Sequence, residues 1–99
     1  MKNFIAMHTF KSAALRDQCF EAMGTMSEQE LVAGMTGDKA QCQMSWNDGG
    51  NGGMVLACWW KAESKDAIIE QIGEMNAFFD TESHELDNII DLNQCDNRA

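Results

Sequence analysis

The sequence predicts a single α+β domain in which two main helices cover one face of a four-stranded sheet. The chain has 99 residues, which is near the usual size of a domain with one core. Segments with the two-residue alternation of strands and segments with the apolar spacing of helices follow one another along the chain. Their order is β, α, β, β, α, β, with an additional short helix in the first connection.

The first predicted strand covers residues 3–10, and a helix follows it. Alternation places Phe4, Ala6, His8 and Phe10 on one face of this strand and Ile5, Met7 and Thr9 on the other. Ser12 is a residue type that caps helix N-termini, and Gly24 is expected to loosen or end the helix. The apolar residues of this segment recur at helical spacing: Leu15, Cys19, Ala22, Met23 and Met26.

A capping box predicts the short additional helix. Ser27 stands at the N-cap and Glu30 follows three residues later, so each side chain is placed to bond the other residue's backbone N–H. This helix would carry Leu31, Val32 and Met35 and end at residues 36–38.

A hairpin is expected over residues 40–62. Its first strand is half-buried, with one apolar face made of Ala40, Cys42, Met44 and Trp46. The glycine-rich residues 47–53 predict a flexible loop. Neither a helix nor a Lys-Ser/Thr pair follows this loop, which argues against phosphate binding. The second strand, residues 54–62, is apolar on both faces, so we expect it to be covered on both sides.

The last two predicted elements are a helix and a weaker strand. Ser64 would cap a helix that runs to Phe79, and the buried stripe of that helix would be Ile68, Ile72, Met75 and Phe79. Residues 81–90 form the weaker strand, with inward side chains at His84, Leu86 and Ile90. The domain therefore covers residues 1–92, and residues 93–99 form a polar tail.

Charge and hydropathy exclude several classes of function. Lys plus Arg number 7 and Asp plus Glu number 16, so the net charge is −9. This balance argues against nucleic-acid binding and against an anionic membrane surface, because both need basic residues. The longest apolar run, residues 54–60, is far shorter than the roughly 20 residues that span a bilayer. The first residues lack the features of a secretory signal, so we expect a cytoplasmic protein.

The four cysteines are Cys19, Cys42, Cys58 and Cys95. No two of them have the spacing of a zinc or redox CxxC motif, and reduced thiols are expected in the cytoplasm. Cys19 and Cys58 follow the apolar periodicity, which predicts small core residues. Cys95 lies in the polar tail, where we expect the most reactive thiol.

The open face of the sheet predicts a homodimer. With helices on one face only, the other face exposes one complete set of alternating side chains. That set includes either Phe4, Phe10, Leu56 and Trp60 or Ile5, Met7, Val55 and Trp59. Either set forms an apolar patch larger than monomeric proteins usually expose. A second copy of the chain, packed sheet to sheet about a two-fold axis, is the simplest cover.

The βαββαβ order and the segment from Met54 to Ala62, followed by the capped helix at Ser64, resemble the dimeric α+β barrel families of the ferredoxin-like fold. Over roughly residues 1–92 the chain is similar to small uncharacterised bacterial domains of this group. The resemblance implies an antiparallel sheet in which the fourth strand lies beside the first, so that His8 would approach His84.

The antibiotic-biosynthesis-type monooxygenases and the haem-degrading enzymes are more distant members of the same superfamily. Trp60-Lys61, placed before a helix, resembles the end of the corresponding strand in those enzymes. The haem-degrading members use a histidine on the following helix, and residues 65–79 contain none. We therefore expect no haem and no other cofactor.

The leading functional hypothesis is a pocket between sheet and helices that binds a fatty-acid-like or aromatic molecule. Eight methionines indicate either a loosely specified core or an adaptable apolar pocket. His8 would be the polar anchor among apolar neighbours. The walls predicted for this pocket are Phe4, His8, Phe20, Met23, Trp60, Met75 and Phe79.

Two other functions stay open at the level of the sequence. One is a cofactor-independent oxygenase or isomerase that uses His8 as its base. The other is a metal-binding or purely structural dimer, in which His8 and His84 would meet near Glu82 or Glu85. The competing interpretation is that His8 is a packed, hydrogen-bonded histidine of the core. For His84, the competing interpretation is a position on the surface of a strand.

Overall fold

The computed structural model describes residues 1–90 and residue 92. The predicted tail at residues 93–99, with Cys95, lies outside the described residues. The elements are β1 (Lys2–Phe10), α1 (Ala13–Gly24), α2 (Glu28–Gly34), β2 (Ala40–Asn47), β3 (Val55–Ala62), α3 (Lys65–Ile72) and β4 (Phe79–Leu86). Short 3-10 turns cover Gly49–Asn51 and Gly73–Ala77.

The four strands form one sheet in the order β2-β3-β1-β4. Every neighbouring pair is antiparallel. With the crossover helices, this order confirms the predicted α+β fold of the ferredoxin-like βαββαβ type. It also places β4 beside β1, as the resemblance implied.

Three serines begin the three helices, as the sequence predicts. The Ser12 hydroxyl accepts from the Leu15 N–H and the Ser64 hydroxyl accepts from the Ala67 N–H, each at 3.1 Å. At α2 both halves of the capping box form, with Ser27 Oγ 3.1 Å from the Glu30 nitrogen. These contacts satisfy N–H groups that have no partner within their own helix.

The core lies between the sheet and the helices, and it settles which strand faces point inward. On β1 and β3 the buried side chains include Phe4, Ala6, His8 and Phe10 together with Leu56, Cys58, Trp60 and Ala62. Cys19 on α1 and Ile68 on α3 close this layer from the helix side. The alternation predicted for β1 and β3 is therefore correct.

The predicted helix over residues 65–79 is too long. α3 ends at Ile72, because Gly73 adopts a φ of 60° that a continuing helix does not allow. The Asn76 side chain then donates to the carbonyl oxygens of Ile69 and Gly73, each at 2.9 Å, and closes the turn. Met75 consequently lies in the 3-10 turn and Phe79 begins β4.

The single apolar face predicted for residues 40–46 is also wrong. The register between β2 and β3 shifts between Cys42 and Met44, so one extra residue, Gln43, bulges out of β2. A bulge reverses the alternation that follows it. Cys42 therefore shares the helix side with Trp60, whereas Met44 pairs with Trp59 on the outer face.

The inward side chains predicted for the last strand are wrong as well. β4 begins at Phe79, and because Phe79 is buried, Thr81 and Ser83 follow it on the inner side. His84 and Leu86 therefore belong to the outer face. Ile90 lies beyond the strand and is exposed.

The outer sheet face is not covered within one chain. Its apolar side chains are Ile5, Met7, Met44, Trp46, Val55, Ala57, Trp59 and Leu86, and all of them are at least partly exposed. Within one chain, β3 is therefore covered on its inner face only. Among the described residues, no helix combines the length and the apolar character needed to cross a membrane.

Candidate functional site

A small cavity lies between the sheet and the segments that follow α2 and α3. Its volume is about 30 Å³. Strands β1, β3 and β4 supply its floor, and the ends of α2 and α3 supply its roof. The lining residues are His8, Gly34, Met35, Leu56, Cys58, Trp60, Ile72, Met75 and Phe79.

Four of the seven predicted wall residues line this cavity: His8, Trp60, Met75 and Phe79. The other three pack elsewhere in the core. Phe4 pairs with Trp60 and Glu85 in the sheet. Phe20 meets the edge of Phe10 at 5.4 Å between ring centroids, and Met23 packs beside Cys19, with 4.0 Å between the sulfurs.

His8 lies on the inner side of β1, one of the two central strands. It is 1% exposed. Its Nδ1 lies 2.7 Å from Thr81 Oγ1, across the β1–β4 ladder. Its ring packs against Phe79, with centroids 4.5 Å apart. Because Nδ1 is engaged by Thr81, Nε2 is the nitrogen that remains for a reactive group or a ligand.

His84 does not approach His8. It pairs with Ile5. Because Ile5 lies on the outer face of β1, the side chain of His84 lies on the outer side of the sheet as well. There its Nε2 is 3.4 Å from Glu82 and the side chain is largely exposed. No group of three His, Cys, Asp or Glu side chains in the described part of the chain is arranged for a metal ion.

Trp60, one of the residues that line the cavity, carries a buried hydrogen-bond donor without a partner. Its indole is 2% exposed, and its Nε1 has no hydrogen-bond partner among the described residues. Trp59, its neighbour in sequence, points the other way and donates to Asn3 Oδ1 at 3.0 Å. A buried polar group without a partner is costly, which makes the Trp60 N–H a place where a bound polar atom would be favoured.

Cys58 is a chemically distinctive residue that the sequence interpretation assigned only to the core. Its sulfur lies 3.5 Å from Ser45 Oγ on β2. The side-chain interaction with Cys42 lowers the pKa of Cys58 to about 5; burial opposes this shift, and the interactions with His8 and Ser45 support it. The same contact with Cys58, together with burial, raises the pKa of Cys42. The thiolate of Cys58 is therefore favoured.

One sequence signal could have indicated this thiol pair. Cys42 and Cys58 lie at equal distances before and after the loop at residues 47–53. A hairpin folded about that loop brings them near each other on adjacent strands. The bulge at Gln43 then turns Cys42 and Ser45 to the same side of β2 as Cys58, a detail that alternation alone does not contain.

An open groove of about 210 Å³ runs between α2 and β2. It is lined by Leu31, Val32, Met35, Thr36, Cys42, Gln43, Met44 and Ser45. Met35 lines both the groove and the inner cavity. Since a methionine side chain is flexible, Met35 is placed to open a passage between them.

The chain matches no protein-family model, no curated protein and no solved structure.

Proposed function

We propose that the protein is a homodimer of the dimeric α+β barrel type that binds a small apolar or amphipathic molecule between its sheet and helices. The observation that carries this proposal is the enclosed cavity, which combines apolar walls with His8 and the unpaired N–H of Trp60. Apolar walls with few polar groups are characteristic of small-molecule sites.

The size of the cavity limits the ligand unless the walls move. Typical ligand pockets measure roughly 300–1,000 Å³, whereas this cavity measures about 30 Å³. A fatty-acid-like or aromatic molecule therefore requires Met35 and Met75 to swing aside. α2 has no buried residue, so moving it together with Met35 would sacrifice little buried apolar area. The ligand would then extend from the cavity into the groove beside β2.

The outer face of the sheet supports the homodimer. Met7, Met44, Trp46 and Val55 are between 36% and 51% exposed and lie on one continuous surface. A patch of this kind favours burial against a partner. A second copy presents the same apolar surface and covers both patches at once through a two-fold axis.

Mass spectrometry of an organic extract, beside the native mass of the purified protein, tests both parts of the proposal. We expect a co-purifying apolar compound and a mass of two chains. A medium-chain fatty acid and a naphthoquinone serve as added probes, and binding of either would raise the melting temperature. An extract without an organic compound, together with no shift by either probe at saturation, would overturn the ligand proposal.

A matched pair of tryptophan variants locates the bound molecule. Trp60→Phe removes the unpaired N–H while keeping an aromatic ring in the cavity wall. If the ligand accepts this hydrogen bond, its affinity falls by about tenfold, which corresponds to a typical hydrogen bond. Trp59→Phe is the control, because its N–H bonds to Asn3 on the outer face. Equal affinities of the two variants would place the ligand elsewhere.

An enzymatic role for His8 is the second candidate. The contact between Nδ1 and Thr81 orients the ring and leaves Nε2 as a possible base. Oxygen consumption with hydroquinone-type substrates, compared between the native protein and His8→Gln, is the test. Turnover that survives this substitution unchanged would exclude His8 as the base.

A further inference from the structure

Two of the three described thiols lie on adjacent strands beside the cavity. Cys58 on β3 lines the cavity, and Cys42 on the adjacent β2 lines the groove. We infer that Cys58 and Cys42 are a peroxide-reactive pair, in which Cys58 is oxidised first and Cys42 then closes a disulfide. This activity goes beyond the proposed binding function and does not depend on it, because it uses only the thiols and a peroxide.

The strand register brings the reactive groups together. Cys58 pairs with Ser45 on β2, and its sulfur lies 3.5 Å from the Ser45 hydroxyl oxygen. Cys42 pairs with Trp60, two residues further along β3 on the same face. The Cys42 thiol donates to the Met44 carbonyl oxygen, 3.6 Å away, and its interaction with Cys58 lowers the pKa of Cys58. The register therefore places a second thiol beside the one whose thiolate, the nucleophilic form of cysteine, is favoured.

The cavity has the size of a peroxide. A single water needs roughly 10–15 Å³ of cavity volume by this measure, and the cavity offers about 30 Å³. Hydrogen peroxide has two heavy atoms and fits without movement of the walls, whereas larger organic oxidants do not.

The chemistry balances with peroxide as the oxidant. The Cys58 sulfur attacks one peroxide oxygen, the S–O bond forms and the O–O bond breaks. The departing hydroxide takes up the proton that the Cys58 thiol released on ionisation and becomes water. Sulfur loses two electrons and becomes a sulfenic acid. The Cys42 sulfur then attacks the Cys58 sulfur, the S–S bond forms, the S–O bond breaks, and the proton of Cys42 leaves with the oxygen as a second water.

Disulfide closure requires a small shift of β2. Diagonal neighbours on antiparallel strands have Cα atoms about 7–8 Å apart, and a relaxed disulfide spans about 4.4–6.8 Å. β2 is an edge strand with a bulge at Gln43, so it is the strand best able to approach its neighbour. The resulting bond would be strained and readily reduced, which suits a reversible reaction.

Cys19 is an internal control for the proposed reaction. It is fully buried in α1, away from the cavity lining, and burial raises the pKa of its thiol. Its nearest sulfur partner is Met23, at 4.0 Å. A general sensitivity of buried thiols to peroxide would oxidise Cys19 as well, whereas the proposed site would leave it reduced.

Titration of the full chain with hydrogen peroxide tests the inference. The parent carries Cys95→Ser, so that only the three described thiols remain. Trypsin cleaves after Arg16, Lys39 and Lys61 and leaves Cys42 and Cys58 on one peptide, residues 40–61, separate from Cys19. One equivalent of peroxide should remove two hydrogens from that peptide and leave Cys19 reduced. This mapping needs no substitution within the site.

Three variants then assign the steps. In Cys42→Ser, we expect dimedone to trap a sulfenic acid on Cys58 at least about tenfold faster than on Cys19, because the thiolate is the reactive form. Cys58→Ser should block oxidation of Cys42, and Cys19→Ser should react as the parent does. Equal oxidation of all three thiols, dimedone on Cys42 as the first product, or no disulfide within peptide 40–61 would each overturn the inference.

Discussion

His8 is a polar residue in an apolar core, and its position depends on one side-chain contact. Thr81 Oγ1 meets Nδ1 at 2.7 Å, and Phe79 supports the face of the ring. The contact satisfies a ring nitrogen that is removed from water, which buried polar groups generally require. The two interpretations of His8 are therefore compatible: it is a satisfied core histidine and also part of the cavity wall.

Removing the Thr81 hydroxyl tests how much this contact stabilises the fold. We expect Thr81→Val to lower the free energy of unfolding by about 1–3 kcal/mol, because it leaves the buried Nδ1 without a partner. Urea denaturation gives the difference. Thr9→Val makes the same change at an exposed site of β1 and should stay within about 0.5 kcal/mol. Equal effects of the two substitutions would contradict the role assigned to Thr81.

The ionisation of Cys58 can be followed by ultraviolet thiolate absorbance. Because the pKa of Cys58 is lowered to about 5, the thiolate should persist at neutral pH and disappear as the pH falls through about 5. The facing titratable groups are His8 on β1 and Cys42 on β2, and the lining residues from the helix side are uncharged. Cys58→Ser should lack the transition. A thiolate signal that appears only in alkaline solution would contradict this prediction.

Each helix begins at a residue that its neighbours in sequence specify, but the helices end for different reasons. α1 ends at Gly24, as predicted. α3 ends at Gly73, inside a stretch whose apolar spacing favours a longer helix. The apolar residues do have helical spacing, but Met75 reaches the cavity from a 3-10 turn and Phe79 reaches it from β4. Periodicity alone does not distinguish these cases.

Substitution of Gly73 by alanine tests the end of α3. Gly73 has a φ of 60°, and a Cβ added there would meet nothing within 4 Å. The cost is therefore conformational, and we expect Gly73→Ala to lower the free energy of unfolding by about 1–3 kcal/mol. Gly24→Ala is the matched control, since Gly24 has no positive φ and open space around it. A neutral Gly73→Ala would contradict this account.

At the scale of the whole molecule, the distribution of apolar surface is asymmetric. The helices bury the inner side of the sheet. On the outer side, Trp46 and Met44 of β2 remain exposed. The chain carries a net charge of −9, which favours dispersion of separate molecules. Association through the outer face would therefore depend on its apolar contacts.

A charge placed on the outer face should separate the proposed dimer. Met7 is 36% exposed and lies directly opposite Glu82 in the β1–β4 ladder. Met7→Lys is compatible with the single chain, because the ammonium can approach that carboxylate, but it would bury a charge in a sheet-to-sheet interface. Light scattering should show one chain for Met7→Lys and two for the native protein. Ile69→Lys on α3 is the control and should remain dimeric.

Much of the fold could be predicted because its signals are local. The serine caps act within about one helical turn, and the alternation along β1 and β3 is unbroken, so the order of elements and the ferredoxin-like class followed directly. The cavity was predictable in part: Trp60 and His8 lie on the predicted face. Met35 was not assigned to it, because its approach depends on how α2 packs against the sheet, and Cys58, on the same face as Trp60, was assigned only to the core.

The sequence by itself determined the elements and their caps, because these depend on interactions between residues a few positions apart. Only the tertiary structure decided which strand faces are buried, where β2 bulges, and that β4 begins at Phe79. Those features depend on hydrogen-bond register between strands that are distant in the chain. The same register brings Cys42, Cys58 and His8 together, so the chemistry of this site is a property of strand pairing that no single segment contains.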